Sequence, residues 1–210
     1  LEEIEGDRAL AYAGAQNQRT LAAFGDAGFE RDRGALAAIF DRPDNIPFVS
    51  RRGGLLYNPW KDAAHPRGLW RRTTMAEFRK AQPQWDDLLD VDRLAADEGE
   101  DWALNWVQTL PSAHQRAMLA LSRGGSDAVV LREFDLTTKR FVPDGFTLSE
   151  AKGSADWLDA DTLLLSSALG EGMATPSGYA RTVRRWRRGQ PVGEAEIIFA
   201  AEYSQSTWVH

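Results

Sequence analysis

The 210-residue chain is 43% hydrophobic and 27% charged, so it has enough apolar sequence for one sizeable core or two small ones and too much for a disordered chain. A net charge of −6 gives no general attraction to nucleic acid or to anionic membranes, and neither is predicted as a partner. The absence of cysteine excludes disulfides and thiolate metal sites, but it leaves the compartment open between the cytoplasm, which is favoured, and the periplasm.

Residues 1–42 are rich in alanine and place apolar side chains at helical intervals. The pattern predicts two helices that are interrupted near Gly25 and Gly28, and Pro43 is expected to stop the second. A helical segment is therefore predicted ahead of a different kind of structure. The apolar positions that define the pattern are Ile4, Leu10, Leu21, Phe24, Phe29, Leu36, Ile39 and Phe40.

The stretch 46–74 predicts three short strands in succession. Residues 48–51 and 55–57 are apolar or aromatic at strand length, and Gly53-Gly54 between them can adopt the positive φ of a tight hairpin turn. Residues 69–73 supply the third strand. Antiparallel strands in this arrangement are typical of a β-propeller blade.

Short strands continue along the rest of the chain. Clusters of Val, Leu, Phe and Trp alternate with turn residues at intervals typical of a sandwich, barrel or propeller. The predicted fold class is therefore mainly β, preceded by N-terminal helices. The further predicted strands are 85–89, 103–110, 117–122, 129–136, 141–142, 154–158, 162–166, 181–187 and 196–200, with turns at 124–127, 137–139 and 159–161 and one or two helical turns at 92–98.

Four parts of the chain, taken in order, carry a resemblance. They are LEEIEGDRALAYAGAQNQRT, IPFVSRRGGLLYNPWKDAAHPRGLWRRTT, RAMLALSRGGSDAVVLREFDLTTKRFV, and ADWLDADTLLLSS followed by GYARTVRRWRRGQPVGEAEIIF. They resemble the beginning of the prolyl oligopeptidase (prolyl endopeptidase) family of serine peptidases: its N-terminal helix, the first and second propeller blades of its bacterial members, and the approach to the third blade. The resemblance runs from residue 1 to about residue 199.

This resemblance implies a two-part enzyme. Members of the family have an α/β-hydrolase domain assembled from both ends of the polypeptide, capped by a seven-bladed propeller, and they cleave short peptides after proline. This chain is similar only to the beginning, which implies an incomplete β-propeller of two to three blades. Residues 1–42 are expected to be a helical segment that packs on the hydrolase domain of the same protein. Residues 43–210 are expected to be a partial propeller domain that gates access.

A serine nucleophile in an α/β-hydrolase lies on a G-x-S-x-G turn that projects its hydroxyl. The sequence contains no such pentapeptide. Ser126 in GGSDA and Ser177 in TPSGY come nearest, but both lack the glycine spacing and the preceding apolar strand, so neither is interpreted as a nucleophile. No catalytic residue is assigned, the triad is expected outside this chain, and the chain alone is predicted to be inactive.

The sequence predicts no metal site and no cofactor. His65 and His114 fall in predicted loops and His210 is the last residue, and all three are interpreted as solvated. The acidic run 86–101 is the strongest charge feature, but it lacks the alternating oxygen ligands and the sixth-position glycine of a calcium loop. It is interpreted as a solvated connection between blades.

Two further patterns each leave two interpretations. The run RTVRRWRR at 181–188 has the composition of a nucleic-acid stripe, but we interpret it as an outer or edge strand whose arginines face water. The eight tryptophans are expected to pack mostly between blades, with ligand stacking as the alternative. The family's substrate-contacting rim corresponds to the vicinity of Lys152 and Gly153, where no large apolar side chain stands, so the substrate-binding residues stay unknown.

Two functions of different classes follow. The first is the N-terminal propeller portion of a prolyl oligopeptidase-type endopeptidase, whose partners are short proline-containing peptides and the hydrolase domain. The second is a non-catalytic, propeller-like binding module that associates with further copies of itself. Because two or three blades cannot close a ring, sheet faces remain uncovered, and the isolated chain is predicted to self-associate in either case.

Overall fold

The computed structural model describes residues 6–42, 44–111 and 113–209. The chain divides into two compact units, Leu1–Ile46 and Pro47–His210. Of the residues singled out above, Ile4, Pro43 and His210 lie outside the described part.

The described residues form helices and strands in the following order along the chain. The helices are α1 Asp7–Phe24, α2 Ala27–Phe40, α3 Met75–Phe78 and α4 Val91–Glu98. The strands are β1 Ser50–Arg52, β2 Leu55–Trp60, β3 Leu69–Thr74, β4 Asp86–Asp90, β5 Trp102–Thr109, β6 Arg116–Arg123, β7 Ala128–Asp135, β8 Arg140–Phe141, β9 Thr147–Asp159, β10 Thr162–Ser167, β11 Thr182–Arg187 and β12 Glu196–Ala200.

The first unit consists of the two predicted helices, α1 and α2. The predicted interruption is confirmed at Gly25 and Asp26, where the Asp26 carboxylate accepts the Phe29 backbone N–H at 2.8 Å and caps α2. A Cβ at Gly25 would lie 2.5 Å from the Leu21 carbonyl oxygen, so only glycine fits this close turn. Neither helix contains a buried residue. The apolar side chains of this unit are therefore exposed on its own surface.

The first predicted hairpin is confirmed, and it opens a four-stranded antiparallel sheet of order β1-β2-β3-β4. Gly53 and Gly54 have φ values of 53° and 83°, which is the pair of positive φ angles that a two-residue hairpin turn requires. Arg52 pairs with Leu55 across this turn. We call this sheet the first blade.

The remaining strands form one sheet of order β12-β11-β10-β9-β7-β6-β5, with β8 paired to β7. We call β5, β6, β7 and the first half of β9 the second blade, and the second half of β9 with β10, β11 and β12 the third blade. The sequence-based strand at 154–158 was wrong in its length, because β9 begins at Thr147. Residues 147–153 are mostly small or polar and show no apolar alternation, so pairing with neighbouring strands and not local propensity makes them extended.

Strand β6 is buried on both faces, because it belongs to the second blade and packs against the first blade on one side and the third blade on the other. Ala117 and Leu119 belong to the core shared with the first blade, while Met118 and Ala120 belong to the core shared with the third. A strand that alternates side chains between two cores must be apolar throughout, as RAMLALSR nearly is. The core between the first two blades comprises Tyr57, Trp70, Leu88, Ala117, Leu119, Phe134 and Leu136; the other comprises Leu110, Met118, Ala120, Val129, Leu131, Phe146, Leu148, Ala155, Trp157, Leu163, Leu165, Trp186 and Ala195.

The sequence predicts packing between blades for most of the eight tryptophans, and three of them, Trp70, Trp157 and Trp186, have aromatic contacts there. Trp70 packs against Tyr57 and Phe134 between the first and second blades. Trp157 and Trp186 both pack edge-on against Phe146 between the second and third. Within the described residues, no helix combines the length and apolar character that crossing a bilayer requires.

Candidate functional site

The two serines nearest to a nucleophile pattern lie in surface turns. The Ser126 hydroxyl, in the turn between β6 and β7, donates to the Ala128 carbonyl at 3.1 Å. The Ser177 hydroxyl lies 3.0 Å from the Thr175 hydroxyl, in the segment that precedes β11. In the part of the chain that the structure describes, neither hydroxyl has an imidazole as its hydrogen-bond partner, and a serine needs such a base to act as a nucleophile. The assignment of no catalytic residue stays a prediction.

His65 belongs to a loop organised by one carboxylate. Asp62 Oδ1 accepts the backbone N–H groups of Ala64 and His65 and lies 3.0 Å from His65 Nδ1, while Oδ2 accepts the Trp60 indole N–H at 2.8 Å. Burial alone would raise the pKa of Asp62, but the hydrogen bonds from Trp60 and His65 outweigh it and hold the pKa below its ordinary value. His65 is half-buried, so its interpretation as a solvated residue was only partly right.

His114 packs against the hairpin of the first blade and is also not fully solvated. A Cβ at Gly53 would lie 2.5 Å from His114 Cδ2, so the ring fills the space that a side chain at Gly53 would take. His114 itself has a φ of 47°. The contact joins a turn of the first blade to the loop between β5 and β6, which is a structural role.

Most acidic residues of the run 86–101 have structural partners. Asp90 caps α4 by accepting the Arg93 backbone N–H at 2.9 Å, and Asp92 accepts the backbone N–H groups of Arg67 and Gly68. Glu98 accepts the Trp102 indole N–H at 2.8 Å. Across the described residues, no group of three His, Asp or Glu side chains is arranged to hold a metal ion. The run joins the first blade to the second, and it does so as a strand and a helix.

Arg71 of β3 lies between two tryptophan rings. Its guanidinium carbon is 4.4 Å from the Trp60 ring centroid and 4.3 Å from that of Trp85, and its Nε–H donates to Asn58 Oδ1 at 2.9 Å. Asn58 is buried, and its amide donates to the Phe48 carbonyl at 2.8 Å. This second hydrogen bond orients the Asn58 oxygen toward Arg71. Burial lowers the pKa of Arg71. Sequence analysis missed this cluster because it depends on the register that places Asn58 opposite Arg71.

The interpretation of residues 181–188 as an outer or edge strand whose arginines face water was right for Arg187, which is exposed, but not for the whole run. Strand β11 is covered on its outer side by β12, and Arg184 is buried, donating to the carbonyls of Gly193 and Ala195. Arg188 reaches across to the second blade, where it donates to both carboxylate oxygens of Glu133, at 2.7 and 3.1 Å. Arg188 therefore joins the third blade to the second, whereas Arg184 bonds within the third blade.

Glu133 is the most buried charge of the β unit, since its side chain is fully inaccessible to solvent. Besides Arg188, it accepts the Phe146 backbone N–H at 2.9 Å and lies 3.3 Å from Arg116. The hydrogen bonds to Glu133 are the largest influence on the pKa of Arg188, which is raised. Four hydrogen bonds to one carboxylate satisfy it without solvent, which is the condition for keeping a buried charge.

A small cleft of about 250 Å³ lies between β5 and β9 and is mostly apolar. Its walls are formed by Trp106, Ala155 and Trp208, next to Ser154 and Gln108. Among the described residues, its lining contains no titratable side chain. The sequence-predicted rim lies beside it along β9.

At that rim, Lys152 and Gly153 offer no apolar contact surface. Lys152 pairs with Asp127 at 2.8 Å, and its ammonium lies 4.2 Å from the Tyr179 ring centroid. Gly153 is pressed against Ser166 and Ser167 of β10. The absence of a substrate contact at these two positions stays a prediction.

Comparison with known proteins gives a family match over the whole chain. Residues 1–210 match the family model for the prolyl oligopeptidase N-terminal beta-propeller domain. An uncharacterised peptidase of Sinorhizobium fredii is 37% identical over 204 residues, which cover 96% of this chain and 28% of that protein. An uncharacterised peptidase of Rickettsia prowazekii is 31% identical over 208 residues, covering 95% of this chain and 29% of that protein.

Among solved structures, a post-proline cleaving enzyme from Rickettsia typhi is similar with a TM-score of 0.87 and 31% identity, covering 97% of this chain and 31% of that chain. Oligopeptidase B from Leishmania major has a TM-score of 0.68 at 14% identity, covering 94% of this chain and 26% of that chain, and this likeness concerns the fold alone. The predicted fold class, mainly β with N-terminal helices and propeller blades, is confirmed. The chain spans less than a third of the length of these relatives.

Proposed function

This chain belongs to the prolyl oligopeptidase family as an N-terminal β-propeller portion, and from that premise we propose that the whole protein is a serine endopeptidase that cleaves short peptides after proline. The observation that carries the proposal is the likeness to the Rickettsia typhi enzyme, which extends over 97% of this chain at 31% identity. That relative is named as a post-proline cleaving enzyme. The other curated relatives are named only as peptidases, so they support the reaction class and not the preference for proline.

The catalytic triad, in this proposal, is contributed by residues outside the sequence described here. A triad requires a serine hydrogen-bonded to a histidine that is itself oriented by a carboxylate. His65 lies next to the Asp62 carboxylate, but neither Ser126 nor Ser177 is hydrogen-bonded to it. Ser126 bonds to the Ala128 carbonyl and Ser177 to the Thr175 hydroxyl. The role left for this chain is to control which peptides reach the active site.

We assign that control to the blades as a size filter. Their cores are closely packed, with Leu119 and Leu163 fully buried, and such interiors do not deform easily around a bulky substrate. An extended peptide fits through narrow passages that a folded protein cannot enter. The filter would therefore favour short peptides whatever residue precedes the cleaved bond.

The helical unit is proposed to pack on the hydrolase domain, with residues 1–42 as this segment and residues 43–210 as the partial propeller. Phe24 and Phe40 at the ends of the two helices are 72% and 75% exposed. Large apolar side chains in such number are not normally left in water. The exposed apolar residues of this unit are Leu10, Tyr12, Leu21, Phe24, Phe29, Leu36, Ile39 and Phe40.

The test compares the 210-residue chain with the complete product of its reading frame. Both are assayed with a short fluorogenic peptide that has proline before the scissile bond, and with a matched peptide that has alanine there. We expect turnover of the proline peptide by the complete product alone. Equal turnover of both peptides would contradict the proline preference, and turnover by the purified 210-residue chain would contradict the placement of the triad.

A third substrate tests the size filter separately. The same proline-containing sequence is placed in an exposed loop of a folded protein and offered to the complete product. We expect the free peptide to be cleaved at least 100-fold faster than the loop, about 3 kcal/mol in transition-state free energy. Equal rates would refute the filter while leaving the peptidase activity in place.

A second candidate function is a non-catalytic binding module that self-associates. The observation that favours it is the exposed apolar surface on β12, the edge strand of the larger sheet, where Ile197, Ile198 and Phe199 are about half-exposed. Sedimentation velocity of the 210-residue chain is expected to show concentration-dependent association. Two results together would leave only the peptidase proposal. The 210-residue chain would be a monomer at all concentrations, and the polypeptide isolated from its natural source would have a mass well above the 23.4 kDa of this chain.

A further inference from the structure

The second and third blades share a strand. Residues Ala128 and Val129 of β7 pair with Lys152 and Ala151 in the first half of β9, and β10 pairs with the second half. The two blades are therefore parts of one continuous sheet. Each half of β9 pairs within its own blade, so separating the blades requires β9 to bend where its two halves meet and the backbone hydrogen bond from Ala168 to Lys152 to break.

The change of partner occurs at Gly153 and permits little adjustment. A Cβ at this position would lie 2.2 Å from the Ser166 carbonyl oxygen and 2.8 Å from Ser167 Cα. The Ala168 N–H donates to the Lys152 carbonyl at 2.9 Å, so the strands remain bonded up to the crossing point. The crossing is held by backbone contacts on both sides.

A buried ion pair joins the same two blades. Glu133 of the second blade is inaccessible to solvent, and it binds Arg188 of the third blade through two hydrogen bonds of 2.7 and 3.1 Å. Pulling the blades apart would leave Glu133 without these partners until water reached it, which is unfavourable for a buried charge. The pair therefore resists partial opening more than its contact area suggests.

Hydrogen bonds from β5 reinforce this junction. The Trp157 indole N–H donates to the Gln108 carbonyl at 2.9 Å, and the Gln108 side-chain amide donates to Asp156 at 2.9 Å. Both bonds run from β5 of the second blade to β9 within the third. The junction is thus fixed by a shared strand, a buried charge pair and polar side-chain bonds.

The junction between the first and second blades lacks a shared strand. The four-stranded sheet of the first blade ends at β4. Its contacts with the second blade are an aromatic and aliphatic core around Tyr57, Trp70 and Phe134, the packing of His114 against Gly53, and a 3.4 Å hydrogen bond from Arg67 to the Trp102 carbonyl. The ion pairs Arg67–Asp101 and Lys139–Asp86 near this junction are largely exposed, and exposed pairs contribute little.

We infer that the second and third blades form one cooperative unit and that this part of the propeller opens at the seam between the first and second blades. The inference goes beyond the proposed filter, which does not depend on where the blades separate. It concerns the β unit alone and does not require cleavage after proline. A peptide admitted through the side of the propeller would enter at this seam.

The absence of cysteine allows a direct test with single thiols. Ala117 and Ala120 lie on the same strand, both are fully buried, and they face the first and second seams respectively. The variants Ala117→Cys and Ala120→Cys of the 210-residue chain are labelled with a thiol reagent under native conditions. We expect labelling at 117 to be at least ten-fold faster than at 120. Equal rates, or faster labelling at 120, would overturn the inference.

A second comparison tests the role of the buried pair. Arg188→Met is expected to raise the labelling rate at 120 and to leave the rate at 117 unchanged. Arg185→Met is the matched control, because Arg185 lies on β11 just before Arg188 and its ion pair with Glu196 is exposed to solvent. A rise at both positions would mean that the β unit opens as a whole, which contradicts a weaker first seam.

Hydrogen exchange of the unsubstituted chain gives the same comparison without any mutation. Amides of β2 and β3 are expected to exchange with a lower free energy of opening than those of β7, β10 and β11. The amides of these three strands should share one free energy of opening, because they open together. Exchange of β10 and β11 ahead of β2 and β3 would refute the inference even if the thiol variants failed to fold.

Discussion

The helical unit and the β unit use apolar side chains in opposite ways. Leu21 of α1 is 55% exposed, whereas Leu119 of β6 is fully buried between two blades. The helical spacing around Leu21 and the nearly continuous apolar run around Leu119 both predict a buried face, so the sequence alone does not reveal that only Leu119 is buried in this chain. The difference teaches that the apolar stripe of the helices does not stabilise its own unit and is available for a partner surface, while that of β6 holds three blades together.

The largest expected effect is in the β unit, at Glu133. Glu133→Ala removes the carboxylate that binds Arg188 and Arg116 and leaves two guanidinium groups without it. Breaking a buried pair in this way costs about 3–5 kcal/mol of unfolding free energy, and about 3 is expected here because Arg188 keeps Asp161 and is partly exposed. Urea unfolding measures the change.

The control for Glu133 is an exposed pair of the same sheet. Glu196→Ala removes the partner of Arg185, and both side chains of this pair are in contact with solvent. The expected loss is about 0–1 kcal/mol. Equal losses at Glu133 and Glu196 would show that burial of the charge is not what makes the first pair important.

A loss of similar size is expected from Leu119→Ala. The substitution removes three carbon atoms from a fully buried position in the core between the first and second blades. Such truncations cost about 2–5 kcal/mol, and the packed neighbours Phe134 and Trp70 leave little room for the cavity to collapse. The midpoint of urea unfolding measures the loss. A change below about 1 kcal/mol would mean that this core is loosely packed in solution.

Local rules predicted much of the fold, and non-local pairing decided the rest. The Gly53-Gly54 turn and the break at Gly25 follow from backbone conformations that glycine favours, so the sequence indicates them directly. The length of β9 could not be predicted, because residues 147–153 are extended only through their partners in β7. The Arg71 and Glu133 clusters depend on side chains brought together across strands and blades, which spacing along the chain does not reveal.

A smaller effect is expected at the cap of α2. Asp26→Ala removes the carboxylate that accepts the Phe29 N–H at 2.8 Å. Loss of an N-cap costs about 1 kcal/mol of helix stability. Because nothing in either helix is buried, the effect should stay in the helical unit, where amide exchange at residues 28–30 should accelerate several-fold. An equal acceleration in β6 would contradict an effect confined to the helical unit.

A pH-dependent effect of still smaller size is expected at Asp135. The backbone N–H groups of Thr138 and Thr137 donate to its carboxylate at 2.8 Å and lower its pKa despite partial burial. A lowered pKa in the folded state stabilises the fold above the unfolded-state pKa, and this stabilisation is lost as the pH falls through the folded-state pKa. Asp135→Asn should therefore be less stable than the unsubstituted chain at pH 7, and the difference should shrink as the pH falls below the ordinary aspartate range and through the folded-state pKa. A difference that persists there would assign the effect to packing.

The smallest effect is expected from Leu21→Ala, the substitution made at Leu119 transferred to the exposed helix. Leu21 loses little by truncation because it is already largely in water, and alanine is the better helix former. The unfolding free energy of the 210-residue chain should stay within about 0.5 kcal/mol of its original value. In the complete product of the reading frame the same substitution should be destabilising, because the proposed hydrolase domain would bury this position. A neutral result in both proteins would show that Leu21 is not buried by a partner surface. It would mean that this position of the helix is not part of the proposed interface with the hydrolase domain.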